Sequence, residues 1–363
     1  MTKSGIEWTD RSDWNPIRGC TRVSEGCRNC YAEAIAARFS DRGQPFHGFA
    51  ERTANGPRWT GKVELIEDRL TLPLRWKKPA KIFVNSAFDL FHDSIPDEWI
   101  DRIFAVIALS PQHTFQVLTK RSKRMREYFG GLEPWSNRVL SIRAATAPFM
   151  SRAGNPTEAI NFPLPNVWLG VTAENQKAAD ERLPYLLATT AAVRWVSVEP
   201  LLGPIDLMRI DHERDRGWEE PLNALKPYTL LEAEEEWGGD CKQTADRPAL
   251  DWVVVGGESG PNARPMHPDW ARSLRDQCEA AGVPFFFKQW GAYKIGELKQ
   301  DAACIHWQDG SQEFYGEHQD IKYGDHWLDK DTNRLVIAYP STKNVSGSLL
   351  DGREHKEFPE VRP

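Results

Sequence analysis

Six stretches of this chain are continuous apolar runs, not alternating ones. They lie at 81–86, 114–120, 167–172, 194–199, 251–257 and 284–289. A strand that is apolar at successive positions has both faces covered, which is the condition of a parallel sheet packed between layers. Between these runs the period becomes helical. Trp99, Ile103, Phe104 and Ile107 share one face of a predicted helix over 97–109, and further helices are predicted over 175–188 and 268–281. In the last of these Trp270, Leu274 and Cys278 recur at intervals of four, which makes Cys278 a core residue. Nearer the start, Tyr31, Ile35 and Phe39 recur every four residues with Ala32, Ala34, Ala36 and Ala37 between them. That spacing predicts a helix with the three large side chains as its apolar face. Residues 6–16 read as a short strand region ahead of it.

Strands alternating with helices imply βαβ units. About six or seven repeats fit an α/β fold built as a complete or partial (β/α) TIM-type barrel. An open Rossmann-like sheet is the competing architecture. Residues 1–291 form the expected barrel, with irregular surface at 41–79 and loop insertions near 131–165 and 208–250. The second insertion is strongly acidic around 232–236. Residues 292–363 show little periodicity and read as a C-terminal extension or cap.

The chemistry concentrates before the first helix. Of six cysteines in the chain, Cys20, Cys27 and Cys30 fall within one loop, spaced C-x6-C-x2-C. Cys27 and Cys30, three apart at the start of a helix, project from one face of its first turn, and Gly19 and Gly26 let the loop bend. Thiolates so arranged hold cationic metal centres. Three is an informative number, because a closed structural zinc site takes four ligands and a cubane iron–sulfur cluster normally takes four cysteines. A cluster held by three leaves one iron open, as in radical S-adenosylmethionine (SAM) enzymes. Zinc completed by a distant ligand, and no metal at all, are the alternatives. Cys241 and Cys304 have no partner at metal spacing, and His47 and His92 are isolated.

The chain has 363 residues, a net charge of −6 and fifteen tryptophans, which suggest stacking surfaces as well as core. The acidic balance argues against a whole-surface attraction to nucleic acid but not against a local basic groove. No apolar run approaches the roughly 20 residues of a membrane span, and residues 1–7 hold no apolar signal-peptide core. The expectation is a cytoplasmic protein, where clustered thiols are metal ligands more often than disulfides.

In barrels the chemistry sits where strands run into the following loops. Here the strand ends carry Asn85, Ser86 and Asp89; Thr119, Lys120 and Arg121; Thr172 and Glu174; Glu199; Gly257 and Glu258; and Lys288. Each has a plainer reading. Asp89 and Glu174 fit helix caps, Glu199 before Pro200 fits a turn, and Lys120 to Arg126 fits a solvated helix face. The recurrence of polar strand ends alongside the thiol triad is what points to one site.

Several segments together resemble the phage Gp37/Gp68 family of three-Cys-motif proteins, DUF5131. They are Trp14-Asn15-Pro16, Gly19-Cys20-Thr21, Asn29-Cys30-Tyr31-Ala32-Glu33, Val84-Asn85-Ser86, Val117-Leu118-Thr119-Lys120-Arg121, Ser197-Val198-Glu199-Pro200, Val255-Gly256-Gly257-Glu258-Ser259-Gly260 with Arg264, and Phe287-Lys288-Gln289-Trp290-Gly291. The resemblance runs from about residue 6 to 291. It implies a radical SAM-like protein, with a link to nucleic-acid chemistry and a neighbouring protein partner. On that basis Cys20, Cys27 and Cys30 are expected to hold a [4Fe–4S] cluster fed by an external electron donor. Asn85, Ser86, Asp89, Thr172, Glu174 and Glu199 are the expected SAM contacts, and Lys120, Glu258 and Lys288 the expected catalytic groups. Arg121 and Arg264 are expected to meet a substrate, nucleic acid or a nucleoside. Were it nucleic acid, Lys120, Arg121, Lys123 and Arg124 would meet phosphates. The first gap of six departs from the common radical SAM spacing of C-x3-C-x2-C, and the Gly-Gly-Glu usual after the second strand is replaced by Asn85, Ser86 and Asp89. The alternatives are a zinc-stabilised nucleic-acid-binding or hydrolytic protein, and a non-catalytic interaction protein with a structural metal.

Overall fold

The computed structural model describes residues 4–130, 136–150, 160–211, 221–232, 242–299, 304–307, 312–314, 325–329, 334–340 and 347–360. Its centre is a curled sheet of six parallel strands: β1 (Lys81–Val84), β2 (Thr114–Thr119), β3 (Val167–Thr172), β4 (Val193–Val198), β5 (Trp252–Gly256) and β6 (Phe285–Gln289). The strands lie side by side in chain order. A Rossmann-like sheet needs a reversal of strand order, and this sheet has none, so that alternative falls. The result is an open half-barrel, a partial β/α barrel and not a closed one.

The longer helices are α1 (Tyr31–Arg38), α2 (Asp97–Ala108), α3 (Ser122–Phe129), α4 (Asn137–Ala145), α5 (Gln176–Leu187) and α6 (Pro268–Ala281). Their limits follow from local chemistry. Asn175 caps α5 by accepting a hydrogen bond from the Ala178 amide. In α6 the His267 side chain accepts from Asp269, Pro268 occupies the first turn, and Gly282 closes the helix at φ 70°. One large core joins these helices to the outward side chains of the sheet, among them Val117, Leu169, Val171, Val196, Val253 and Phe287.

The inward positions of the same strands form a second, aromatic core. Phe83, Trp168, Trp195, Trp252 and Phe286 fill the concave side with Trp8. The Trp8 ring lies 5.2 Å from Trp195 and 6.1 Å from Trp252. Gly170 makes this packing possible, because a Cβ there would fall 2.4 Å from the Trp195 indole. The lower part of the half-barrel is thus filled, and the space above it is left for the strand ends.

Both free edges of the sheet are covered, which removes a template for unwanted pairing. Along β1, the amide of Phe83 donates to Arg11 and that of Asn85 to Trp14. Residues 6–16 are therefore mostly turn and extended chain with a single parallel bridge, Arg11 to Ile82, where a short strand was expected. Along β6, the amide of Phe287 donates to His355 and that of Glu357 to Phe285. Phe358 then stacks on Trp252 at 5.2 Å.

Three expectations change. Residues 50–59 of the irregular region form a hairpin, Ala50–Thr53 with Gly56–Trp59. The weakly periodic C-terminal stretch carries a five-stranded antiparallel sheet formed by strands between residues 293 and 340. Its chain then returns to the half-barrel at 347–360. The insertion near 208–250 contains a hairpin of Tyr228–Glu232 with Lys242–Arg247, whereas residues 233–236 and Cys241 lie outside the described residues. Cys278 is fully buried, as expected. No helix among the described residues is long and apolar enough to cross a membrane.

Candidate functional site

The polar strand ends converge. A cavity of about 450 Å³ opens at the carboxyl ends of the strands, and its wall includes Cys20, Cys27 and Cys30 together with Asn85, Ser86, Asp89, Lys120, Arg121, Thr172, Ser197, Glu199, Glu258 and Lys288. Of the expected site residues, Glu174 and Arg264 do not line it. Trp8, Phe83 and Leu118 also line it, so the aromatic core is its floor.

The cysteine loop lies across this mouth and is tied to it strand by strand. From the end of β1, Asp89 accepts the Arg121 guanidinium at 2.9 Å and the Thr119 hydroxyl at 2.6 Å. Arg121 then donates to the Thr21 hydroxyl at 2.7 Å. From the end of β3, Glu174 accepts the Gly26 amide at 3.3 Å and Arg182 at 2.8 Å. From the end of β5, Glu258 accepts the Asn29 amide group at 3.0 Å and Arg264. Arg264 in turn donates to the Glu25 carbonyl at 3.0 Å. The Tyr31 hydroxyl donates to the Ser86 carbonyl at 2.8 Å. Gly19 permits the entry of the loop: its φ is 97°, and a Cβ would stand 1.9 Å from the Lys62 carbonyl oxygen.

These ties engage several of the expected site residues. Glu174 is fully buried and paired with Arg182, which sequence reasoning missed because an arginine inside a helix reads as exposed. Burial raises the Glu174 carboxyl, but Arg182 and Lys120 outweigh it and leave it below the ordinary range. Arg264, expected to meet a substrate, is engaged by Glu258 and Glu25 and ties the loop to the end of β5. Arg121 is buried against Asp89, and Arg124 pairs with Asp97. Two of the four cations expected on phosphates are thus already neutralised, and the run from Lys120 is not a uniformly solvated face. Glu199 and Lys288 pair across the cavity at 2.6 and 2.8 Å. The Lys120 ammonium has no hydrogen-bond or ion-pair partner among the described residues. The Asn85 backbone sits at φ 50°, its side-chain oxygen accepts the Ile17 amide at 3.2 Å, and its side-chain nitrogen is buried with no partner.

The thiols share one electrostatic environment. Burial pushes Cys20 up to about 12, with the Asp89 carboxylate, Cys30 and Cys27 adding to it and Arg121 opposing. Burial also raises Cys30, while the Glu33 and Ala32 amides at the start of α1 counter it by donating to its sulfur. The Cys20 sulfur is turned to its own loop, 3.4 Å from the Thr21 carbonyl. Among the described residues no group of three His, Cys, Asp or Glu side chains is close enough to hold a metal ion. The arrangement is three free thiols on one wall. His92 cannot serve as a fourth ligand as placed: its Nδ1 accepts the Ser94 amide at 3.2 Å and its Nε2 lies 2.9 Å from the Thr21 hydroxyl.

A family model described as a protein of unknown function (DUF5131) matches residues 3–359. No curated protein and no solved structure matches the chain.

Proposed function

We propose, from the premise that this chain belongs to the DUF5131 family, that it is a radical SAM-type enzyme on a TIM-type partial barrel. The observation that carries the reading is the three thiols of one C-x6-C-x2-C loop on the wall of a single cavity at the strand ends. The donor set fits an open cluster. Three soft sulfur ligands are present on one wall of the cavity. The carboxylates around the cavity are already engaged: Asp89 by Arg121, Glu199 by Lys288 and Glu258 by Arg264. With His92 also engaged, no fourth protein ligand stands ready among the described residues, which favours an open cluster over closed zinc. When bound, the cluster and SAM would supply reductive cleavage to methionine and a 5′-deoxyadenosyl radical.

The chain's own part is to bind, orient and exclude water. Cys20, Cys27 and Cys30 hold the cluster. Lys120 offers an uncommitted cation beside the thiols. Asn85, with its unpartnered side-chain nitrogen, offers a donor to a bound ligand, and Thr172 and Ser197 line the wall further along the sheet, on β3 and β4. The aromatic floor closes the cavity from below.

The test is anaerobic reconstitution followed by absorption and EPR spectra with and without SAM. The expected result is a band near roughly 400 nm, typical of thiolate-held clusters, and a reduced-cluster EPR signal that changes on adding SAM. A colourless protein with one tightly held zinc that takes up no iron and sulfide overturns the reading.

A further inference from the structure

The face around the cavity mouth is built the wrong way out for a helix that only packs. In α1 the small residues Ala32, Ala36 and Ala37 are buried, while Tyr31, Ile35 and Phe39 are 55%, 45% and 40% exposed. Val23, in the cysteine loop, is 41% exposed. Four of the six large apolar side chains that stand out into solvent among the described residues therefore sit in this one segment. The row leads inward, because Tyr31 and Trp59 also line the cavity.

The charge of the segment differs from that of the molecule. Residues 18–62 hold eight lysines and arginines against four aspartates and glutamates, in a chain that has 46 against 52. Cations and rings are interleaved. Arg18 lies over Phe46 at 5.2 Å, Arg38 over Phe39 at 5.4 Å and Lys62 over Phe49 at 4.4 Å. Arg38 and Arg58 have no carboxylate partner among the described residues.

We infer that this face binds single-stranded nucleic acid and presents one nucleotide to the thiol-lined cavity. Flat rings offer stacking to bases of any sequence, and unpaired guanidiniums offer contacts to the backbone phosphates. A duplex hides the faces of its bases, so a strand with unstacked bases fits these rings better. An anionic membrane is the other surface that apolar and basic groups could meet, and vesicle binding is the outcome that would distinguish it. The inference names the substrate class of the cavity and rests on the reading above; the binding step needs neither iron nor SAM.

Fluorescence anisotropy with the full-length protein as purified tests it, using labelled single strands of DNA and RNA of about 20 nucleotides and the matching duplex. Saturable binding is expected, at least about ten-fold tighter for a single strand than for the duplex, and falling steeply between about 50 and 200 mM salt. Tyr31→Ala with Phe39→Ala is expected to weaken it by about ten-fold or more at an unchanged circular dichroism spectrum. Should that variant misfold, Arg38→Glu with Arg58→Glu, both at exposed positions, is expected to weaken it likewise. Absence of saturable binding at low salt, equal affinity for the duplex, or indifference to the folded variants overturns the inference. So does sedimentation with phosphatidylserine vesicles when neither single strand binds. A lack of strand binding alongside a SAM-responsive EPR signal would remove this inference and leave the radical reading standing, and the converse pair of results would do the reverse.

Discussion

Arg264 donates three hydrogen bonds to the Glu258 carboxylate, from its backbone amide at 2.8 Å, its Nε at 2.9 Å and its Nη2 at 2.7 Å. Burial opposes charge on Glu258, yet these bonds and that from Asn29 leave the carboxyl below its ordinary range. The pair joins the end of β5 to the cysteine loop, since Arg264 also holds the Glu25 carbonyl. Removing Arg264 leaves a 6% exposed carboxylate without its counter-charge. Arg264→Ala is therefore expected to cost about 3 kcal/mol in urea unfolding. Arg264→Lys should recover only part of that, because an ammonium cannot reproduce the guanidinium fork. A variant as stable as the parent would show that the clamp is not formed in solution.

The inverted helix makes a second prediction. Ala36 is fully buried with Ala37 and Ala50, so Ala36→Leu forces side chains into a filled space and is expected to cost about 1–3 kcal/mol. Ile35→Ala, one residue away on the exposed face, should stay within about 0.5 kcal/mol. Thermal unfolding of the two variants checks this. The opposite ranking would mean that the large side chains face the core.

That helix also shows where the sequence stops being readable. A period of four locates a face, but not which neighbour it meets, and an alanine-rich opposite face carries too little apolar signal to compete with Tyr31, Ile35 and Phe39. The parallel strands were legible because both their faces are buried, and α6 was legible because Trp270, Leu274 and Cys278 recur at intervals of four on a buried face. The convergence of the strand ends on the cysteines followed from strand direction alone. What each charged residue does there did not follow. Whether Glu174 faces the cavity or Arg182 depends on the phase of α5, which its Asn175 cap sets, with Arg182 about two turns later on the inner side. The role of Arg264 depends on a contact to Glu25 that crosses most of the chain.

A third prediction concerns pH, far from the thiols. Asp351 accepts hydrogen bonds from Arg272 at 2.7 Å and Arg275 at 2.7 Å, which fasten the turn at 349–354 to α6. Burial pushes its carboxyl up, but the two guanidiniums win and hold it below the ordinary range. A depressed carboxyl adds stability that is complete above its unfolded value, near 4, and is lost as pH falls through the folded value. Asp351→Asn keeps a residue type that tolerates φ 52°, so it isolates the charge. The stability difference from the parent is expected to be at most about 1 kcal/mol, because the pair is part-exposed. It should be constant from about pH 7 to 5 and shrink below about pH 4. Urea midpoints across that range measure it, and a difference that grows as pH falls would contradict the assignment.

The last prediction lies in the cavity itself. Lys288 and Glu199 are 11% and 19% exposed, and the ammonium bridges both carboxylate oxygens. Gln289 adds a third hydrogen bond to Glu199 at 3.3 Å. Two largely desolvated charges that neutralise each other stabilise little as a pair but are costly singly. Lys288→Met and Glu199→Gln are each expected to lose about 2–4 kcal/mol, and the double variant clearly less than their sum, with a coupling of about 1–3 kcal/mol. Unfolding of the four proteins in a double-mutant cycle gives that value. Strict additivity would mean that the two groups are separately solvated, with Lys288 then available to a ligand as Lys120 is. A large coupling would instead assign Lys288 to holding Glu199 in place and leave Lys120 as the cation that the cavity offers to what it binds.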